Sequence, residues 1–237
     1  MKIAQECGNI AHGPGDLLSR VQKKLNHLFF IDCAGSAPST ADRRPQRMAK
    51  LELRYFPDEI LAEKTKKITR FDTSVRKLAQ DMLDTMYENN GVGLAAPQVG
   101  ISKRIMVIDV SGEDEPKKPI VFVNPQIVEK EGELVGLEGC LSFPGVYFEV
   151  KRANRIVVKY QNVSGKELKL DVEGSLLCRA IQHEVDHLDG EVFVDKAVSR
   201  IAAEIELSKH GFGPDGVDMT VVSETAELVD HSKVVVG

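Results

Sequence analysis

The chain contains no run of about 18 apolar residues, so no membrane-spanning helix is expected. It has no basic excess either. Its 31 Lys and Arg against 36 Asp and Glu leave a net charge of −5, which argues against the basic face of a nucleic-acid reader. No Cys-x-x-Cys pair occurs, and the four cysteines, Cys7, Cys33, Cys140 and Cys178, stand far apart. A disulfide scaffold is therefore not expected, and a reducing, cytoplasmic compartment is. No repeat period is present, which excludes a solenoid. The apolar stretch His27–Ile31 is too short for the h-region of a secretory signal.

What remains is an ordinary globular composition: 237 residues, 42% hydrophobic and 28% charged. Three segments stand out. Residues 1–47 are read as an N-terminal extension, because Ala34–Arg47 is rich in Ala, Ser, Pro and Arg. Before it, Leu17, Leu18, Val21, Leu25 and Leu28 have helical spacing with basic residues between them. That pattern suits an organellar transit segment. The favoured reading is an extension dispensable for activity, with Met48 as the true start. Residues 48–200 read as one α+β unit. Residues 201–237 read as a divergent tail, with a short helix over Ile201–Leu207 broken by Gly211, Gly213 and Pro214.

Within 48–200, Asp72 or Thr73 caps a helix whose Val75, Leu78, Met82 and Met86 recur every three or four residues, and Gly91 supplies its stop. Strands are predicted at Arg104–Val110, Ile120–Val123, Gln126–Glu129, Asn154–Gln161 and Glu167–Val172, the last two joined by a Ser164-Gly165 turn. A final helix covers Ser175–Leu188, with Gly190 placed for a left-handed cap.

That helix carries Gln182-His183-Glu184-Val185-Asp186-His187. Two histidines four apart on a helix share a face and can grip one metal ion, with Glu184 placed to act as a base on a water. The bland alternative is two buried histidines satisfied by hydrogen bonds. A catalytic ion usually takes three protein ligands. Glu204 and Glu206 stand where a thermolysin-like third ligand would, while Cys140, in Glu138-Gly139-Cys140-Leu141-Ser142, offers a thiolate. A third pattern, Gly91-Val92-Gly93-Leu94-Ala95-Ala96-Pro97-Gln98, combines glycines, which allow close backbone approach, with an amide donor in Gln98.

These three patterns, in this order, resemble the peptide deformylase family, whose motifs are Gly-x-Gly-Leu-Ala-Ala-x-Gln, Glu-Gly-Cys-Leu-Ser and Gln-His-Glu-x-Asp-His-Leu-x-Gly. Every specified position is filled, and Phe143-Pro144-Gly145 is similar to the bacterial and organellar branch. The resemblance implies an α+β fold of small mixed or antiparallel sheets around a central metal-binding helix. It implies removal of the N-terminal formyl group from formyl-methionine of new polypeptides. By the same resemblance, Cys140, His183 and His187 hold one divalent metal, Fe(II) by family habit, with Ni(II), Co(II) or Zn(II) as substitutes, and water takes the fourth position. Glu184 takes a proton from that water and returns it to the leaving amine. Gln98 and the Leu141 N–H donate to the oxyanion. Val92, Gly93, Gly145 and Tyr147 hold the peptide main chain, and Leu176 lines the methionine pocket. Some members carry Arg at the position of Tyr147, a visible departure. Glu138 is the expected hydrogen-bond partner of a liganding histidine, with Arg152 beside Glu138 or Asp186. Formyl-methionyl nascent peptides are the implied substrates and the ribosome a candidate partner, with no membrane and no direct nucleic-acid reading. A metal-dependent peptidase indifferent to Cys140, a peptide-binding module without chemistry and a closed structural metal site are the competing readings.

Overall fold

Asp72 caps the first long helix, α1 (Thr73–Glu88), by accepting from Ser74 N–H. The cap residue has extended dihedrals and supplies an oxygen to an otherwise orphan amide. The helix ends differently from the expectation. Asn90, not Gly91, takes the left-handed turn, with φ 55°. Gly91 is needed for closeness instead, since a Cβ there would stand 2.9 Å from Leu141 Cδ1. The structure, a computed structural model, describes residues 51–112, 114–212 and 235–236. The amphipathic stretch of residues 1–47 and the end of the tail over 213–234 lie outside the described residues.

A five-stranded antiparallel sheet follows, in the order β1-β2-β3-β6-β7: β1 (Gly93–Ala95), β2 (Ile105–Ile108), β3 (Ile120–Glu131), β6 (Arg155–Gln161) and β7 (Glu167–Glu173). The two runs expected at 120–123 and 126–129 form one strand. Asn124 and Pro125 sit in a register shift between Val123 and Gln126, and Asn124 adopts φ 52°. A bulge tolerates both residues, because Asn accepts left-handed dihedrals and Pro is not asked for a ladder N–H. The second sheet agrees with the small mixed or antiparallel sheets expected, but its strands were not among the runs read from periodicity. It pairs β4 (Leu134–Cys140) with β5 (Phe143–Arg152), and a short β8 (Val235–Val236) lies parallel on the other side of β4. The Glu138–Cys140 stretch is a strand end, with a register shift between Gly139 and Cys140.

Helix α2 (Leu176–Asp189) packs against β1, β2, β3, β7 and β8, so it lies between the sheets. Its residues Cys178–Leu188 are all buried. A helix buried all round needs a core on every side, and here its apolar residues Ala180, Ile181 and Leu188 meet Met106, Ile108, Phe122, Ile156 and Val158. A second cluster joins α1 to β1 and β2. A third lies under β5 around Phe143, Val146, Phe148 and Phe193. Helix α3 (Arg200–Lys209) continues past the tail's expected short helix, capped by Ser199. The architecture is α+β. No helix among the described residues is long and apolar enough to cross a membrane.

Candidate metal centre

Helix α2 starts at Ser175, whose side chain accepts from Cys178 N–H, and stops at Gly190 with φ 76°. Both ends were foreseen, and they set the phase of the helix. That phase puts His183 and His187 on one face, with ring centroids 5.1 Å apart. Gln182 anchors the same turn to the β5–β6 connection: its amide accepts from Ala153 N–H and donates to Ala153 C=O. Nothing in the local pattern revealed that role.

Cys140 ends β4 beside this face. Its Sγ lies 3.2 Å from His187 Nε2. The donor atoms of Cys140, His183 and His187 all fall within 4.8 Å of one another, and all three residues are buried. Among the described residues this is the cluster of metal-ligating side chains. Glu204 and Glu206 are not part of it; they lie on α3, where Glu206 pairs with Lys209 and His210.

Two observations bear on whether these donors fit a cation. His183 Nδ1 is 3.0 Å from Glu138 Oε2, an arrangement in which Nδ1 donates to the carboxylate and Nε2 is the ring nitrogen left to ligate. That Nε2 is buried with no partner among the described residues. The second observation is Glu184, fully buried with both carboxyl oxygens lacking a partner among the described residues. Buried polar atoms are otherwise satisfied in native proteins, so an oxygen-, nitrogen- and sulfur-lined pocket of this kind fits a cation and its water.

The electrostatics agree. Burial pushes the Glu184 carboxyl well above the usual range, and the Glu138 charge adds to it. Burial likewise raises the Cys140 thiol, against hydrogen bonds from Ser142. His187 is held well below the ordinary imidazole range, by burial first and then by His183. Neutral imidazole is the form that ligates. A cation among these groups reverses the penalty on the thiolate and the carboxylate.

Glu138 opposes its own burial through its partners. Arg152 and His183 hydrogen bonds hold its carboxyl far below the usual range. Arg152 donates from Nε and Nη2 to Glu138 at 2.9 and 2.8 Å, and from Nη1 to Asp186. The two pairings expected as alternatives therefore coexist. Arg179, which sequence reasoning passed over, donates to Glu138 at 2.8 Å and to the carbonyls of Leu134 and Val150. An Arg in the apolar run of a buried helix was the signal that could have exposed it.

Gln98 is fully buried in a 3-10 turn over Ala96–Val99. Its Oε1 accepts from Ala95 N–H at 2.8 Å, and its Nε2 points at Cys140 Sγ (3.5 Å) and Ser142 Oγ (3.4 Å). Leu141 follows the cysteine. On the facing strand, a Cβ at Gly93 would overlap Glu184 Oε1, so only glycine lets β1 pass so close. Val92 and Leu176 are half-buried and pack on the α2 core. Tyr147 stands opposite Gly139 in the β4–β5 ladder, and its ring fills the space a Cβ at Gly139 would take. Gly145 is more distant in kind: it is exposed, and the atoms nearest to a Cβ there belong to His210.

Comparison with known proteins gives a consistent family. A family model described as polypeptide deformylase matches residues 50–202. A peptide deformylase of Caldicellulosiruptor bescii is 48% identical over 172 residues, covering 73% of this chain and 99% of that protein. One from Picosynechococcus sp. is 44% identical over 174 residues, covering 73% and 92%. Among solved structures, a peptide deformylase from Synechococcus elongatus in complex with actinonin superposes with a TM-score of 0.67 at 43% identity, covering 71% of this chain and 91% of that one.

Proposed function

The chain belongs to the peptide deformylase family, and from that premise we propose that it hydrolyses the N-terminal formyl amide of newly made polypeptides, releasing formate and a free N-terminal methionine. The observation that carries this reading is the buried Cys140, His183 and His187 set with the Glu184 carboxylate beside it, in a chain matched by the family over residues 50–202.

Cys140, His183 and His187 would hold one divalent ion. We assign Fe(II), with Ni(II), Co(II) or Zn(II) able to substitute, because a thiolate and two imidazoles suit several of these metals. Bound there, the ion supplies Lewis-acid polarisation of the formyl carbonyl and a water of lowered pKa. Glu184 takes the proton of the attacking water and delivers it to the leaving amine nitrogen. Gln98 Nε2, already turned toward Cys140, and the Leu141 N–H donate to the carbonyl oxygen as charge develops on it. Glu138 holds the His183 proton on Nδ1 and so aims Nε2 inward. The peptide main chain adds alongside Val92 and Gly93, with Leu176 lining the methionine pocket. Gly145 and Tyr147 contribute from β5, Tyr147 through its ring behind Gly139. Main-chain recognition suits an enzyme that must accept many sequences. Residues 48–200 are the proposed catalytic domain. The location is cytoplasmic, or organellar if residues 1–47 are a transit segment.

The test is formate release from formyl-Met-Ala-Ser by anaerobically purified protein loaded with iron or nickel, with the acetylated peptide as control. Formate from the formyl peptide and no turnover of the control is the expected result. One bound ion per chain with no formate released would refute the reading.

A further inference from the structure

Strand β4 has two edges, and both are in use. One pairs with β5 from Leu134 to Cys140. The other carries β8, with Val235 opposite Glu138 and Val236 opposite Gly139, running parallel. Those are the two residues that immediately precede the ligand Cys140. β8 also packs beside α2, the helix of His183 and His187. Val235–Val236 of the chain's own C-terminal segment thus stand as a short extended strand beside the residues that precede Cys140.

An open strand edge is a template for any extended chain, because main-chain hydrogen bonds supply the affinity. β5 cannot offer such an edge at this point, since its ladder there is taken by β4. At Gly139 a side chain is excluded by the Tyr147 ring. The local sequence suits the role: Val234-Val235-Val236 is β-branched and uncharged. Among the described residues the pairing spans Val235 and Val236 alone, short enough for an incoming strand to displace.

We propose that the β4 edge at Glu138–Gly139 is a strand-addition site shared by substrate and by the chain's own C-terminal segment, which therefore competes with peptide for the centre. This rests on the deformylase reading only in naming the substrate as a peptide. Tethered to the same chain, the segment is present at high effective concentration. A tail seated nine-tenths of the time would raise the apparent KM about tenfold and leave kcat alone.

The test uses the full chain, metal-loaded, and the variant V235P/V236P, since proline cannot donate to a ladder. Hydrogen exchange is read over residues 134–140 and 230–237. KM and kcat are read with formyl-Met-Ala-Ser, and binding of labelled Met-Ala-Ser by anisotropy. The proposal expects protection of both segments in the parent and reduced protection at 138–140 in the variant, while the amides bonded to β5 keep theirs. It expects KM to fall by about threefold or more at unchanged kcat, with a synthetic peptide of residues 230–237 inhibiting the variant competitively. Absence of protection over 230–237 in the parent overturns the pairing. Protection with unchanged KM and unchanged Met-Ala-Ser affinity overturns the competition and makes β8 a structural strand. If no formate is released by either protein but Met-Ala-Ser binds tighter to the variant, the competition stands and the deformylase reading falls.

Discussion

Replacing Glu138 by Gln keeps the side-chain shape and removes its charge, which isolates what that charge does. Glu138 is fully buried. Its Oε1 receives Arg152 Nε and Arg179 Nη1, and its Oε2 receives Arg152 Nη2 and His183 Nδ1, all between 2.8 and 3.0 Å. An amide offers one oxygen, so whichever way it turns, two of the four donors face an NH2 group. Breaking a buried ion pair costs about 3–5 kcal/mol. Arg152 keeps Asp186, and Arg179 keeps backbone carbonyls, so the lower end, about 3 kcal/mol, is expected. At about 2–4 °C per kcal/mol for a domain of this size, the melting temperature should fall by roughly 6–12 °C. Calorimetry on metal-free protein reads this. A competitive chelator titration should also show metal affinity reduced about 10- to 100-fold, since His183 loses the acceptor that orients it. A melting temperature within about 2 °C of the parent, with metal affinity within about twofold, would refute the assignment of Glu138 as the hub of this network.

Glu184→Gln should retain the metal and lose formate release by about 10²- to 10⁴-fold, whereas Cys140→Ala should lose the metal itself; normal occupancy and turnover in the second would remove Cys140 from the ligand set. Gly93→Ala puts a Cβ into the space of Glu184 Oε1, so turnover should drop at least about tenfold with folding and metal retained. Turnover within twofold of the parent would show that Glu184 can be moved at no cost. Asp109 reports on pH. Burial pushes its carboxyl up, but hydrogen bonds from Ser111, Tyr87 and Lys118 outweigh this and hold it below the usual range. A lowered folded pKa means stability present above the unfolded value of about 3.9 and lost as pH falls through the folded one. Thermal melts from pH 2.5 to 7 should therefore show the parent's advantage over Asp109→Asn shrinking below about pH 4; a constant difference would contradict it.

Some of this was legible because the information is local. The α2 helix needed only its apolar spacing, the Ser175 cap and Gly190, and the result is Leu176–Asp189. The β4–β5 ladder was missed although Val146, Phe148, Val150 and Arg152 are alternately buried along β5. The two glycines and the buried Glu138 of β4 broke the alternation on its partner, and Glu138 is inside only because Arg152 and Arg179 come to it from other elements.

By itself the sequence determined which residues share the helix face, since His183 and His187 lie one turn apart whatever the rest of the chain does. It also carried the three motifs that mark the family. Tertiary structure alone decided that Cys140 comes within 3.2 Å of His187, that Gln98 turns toward the same sulfur, that Glu204 and Glu206 stay away from it, and that Val235–Val236 pairs with β4 beside it. The physical reason is that spacing within one helix follows from backbone geometry. Distances between elements instead follow from which apolar faces pack together and where each buried charge finds its partner.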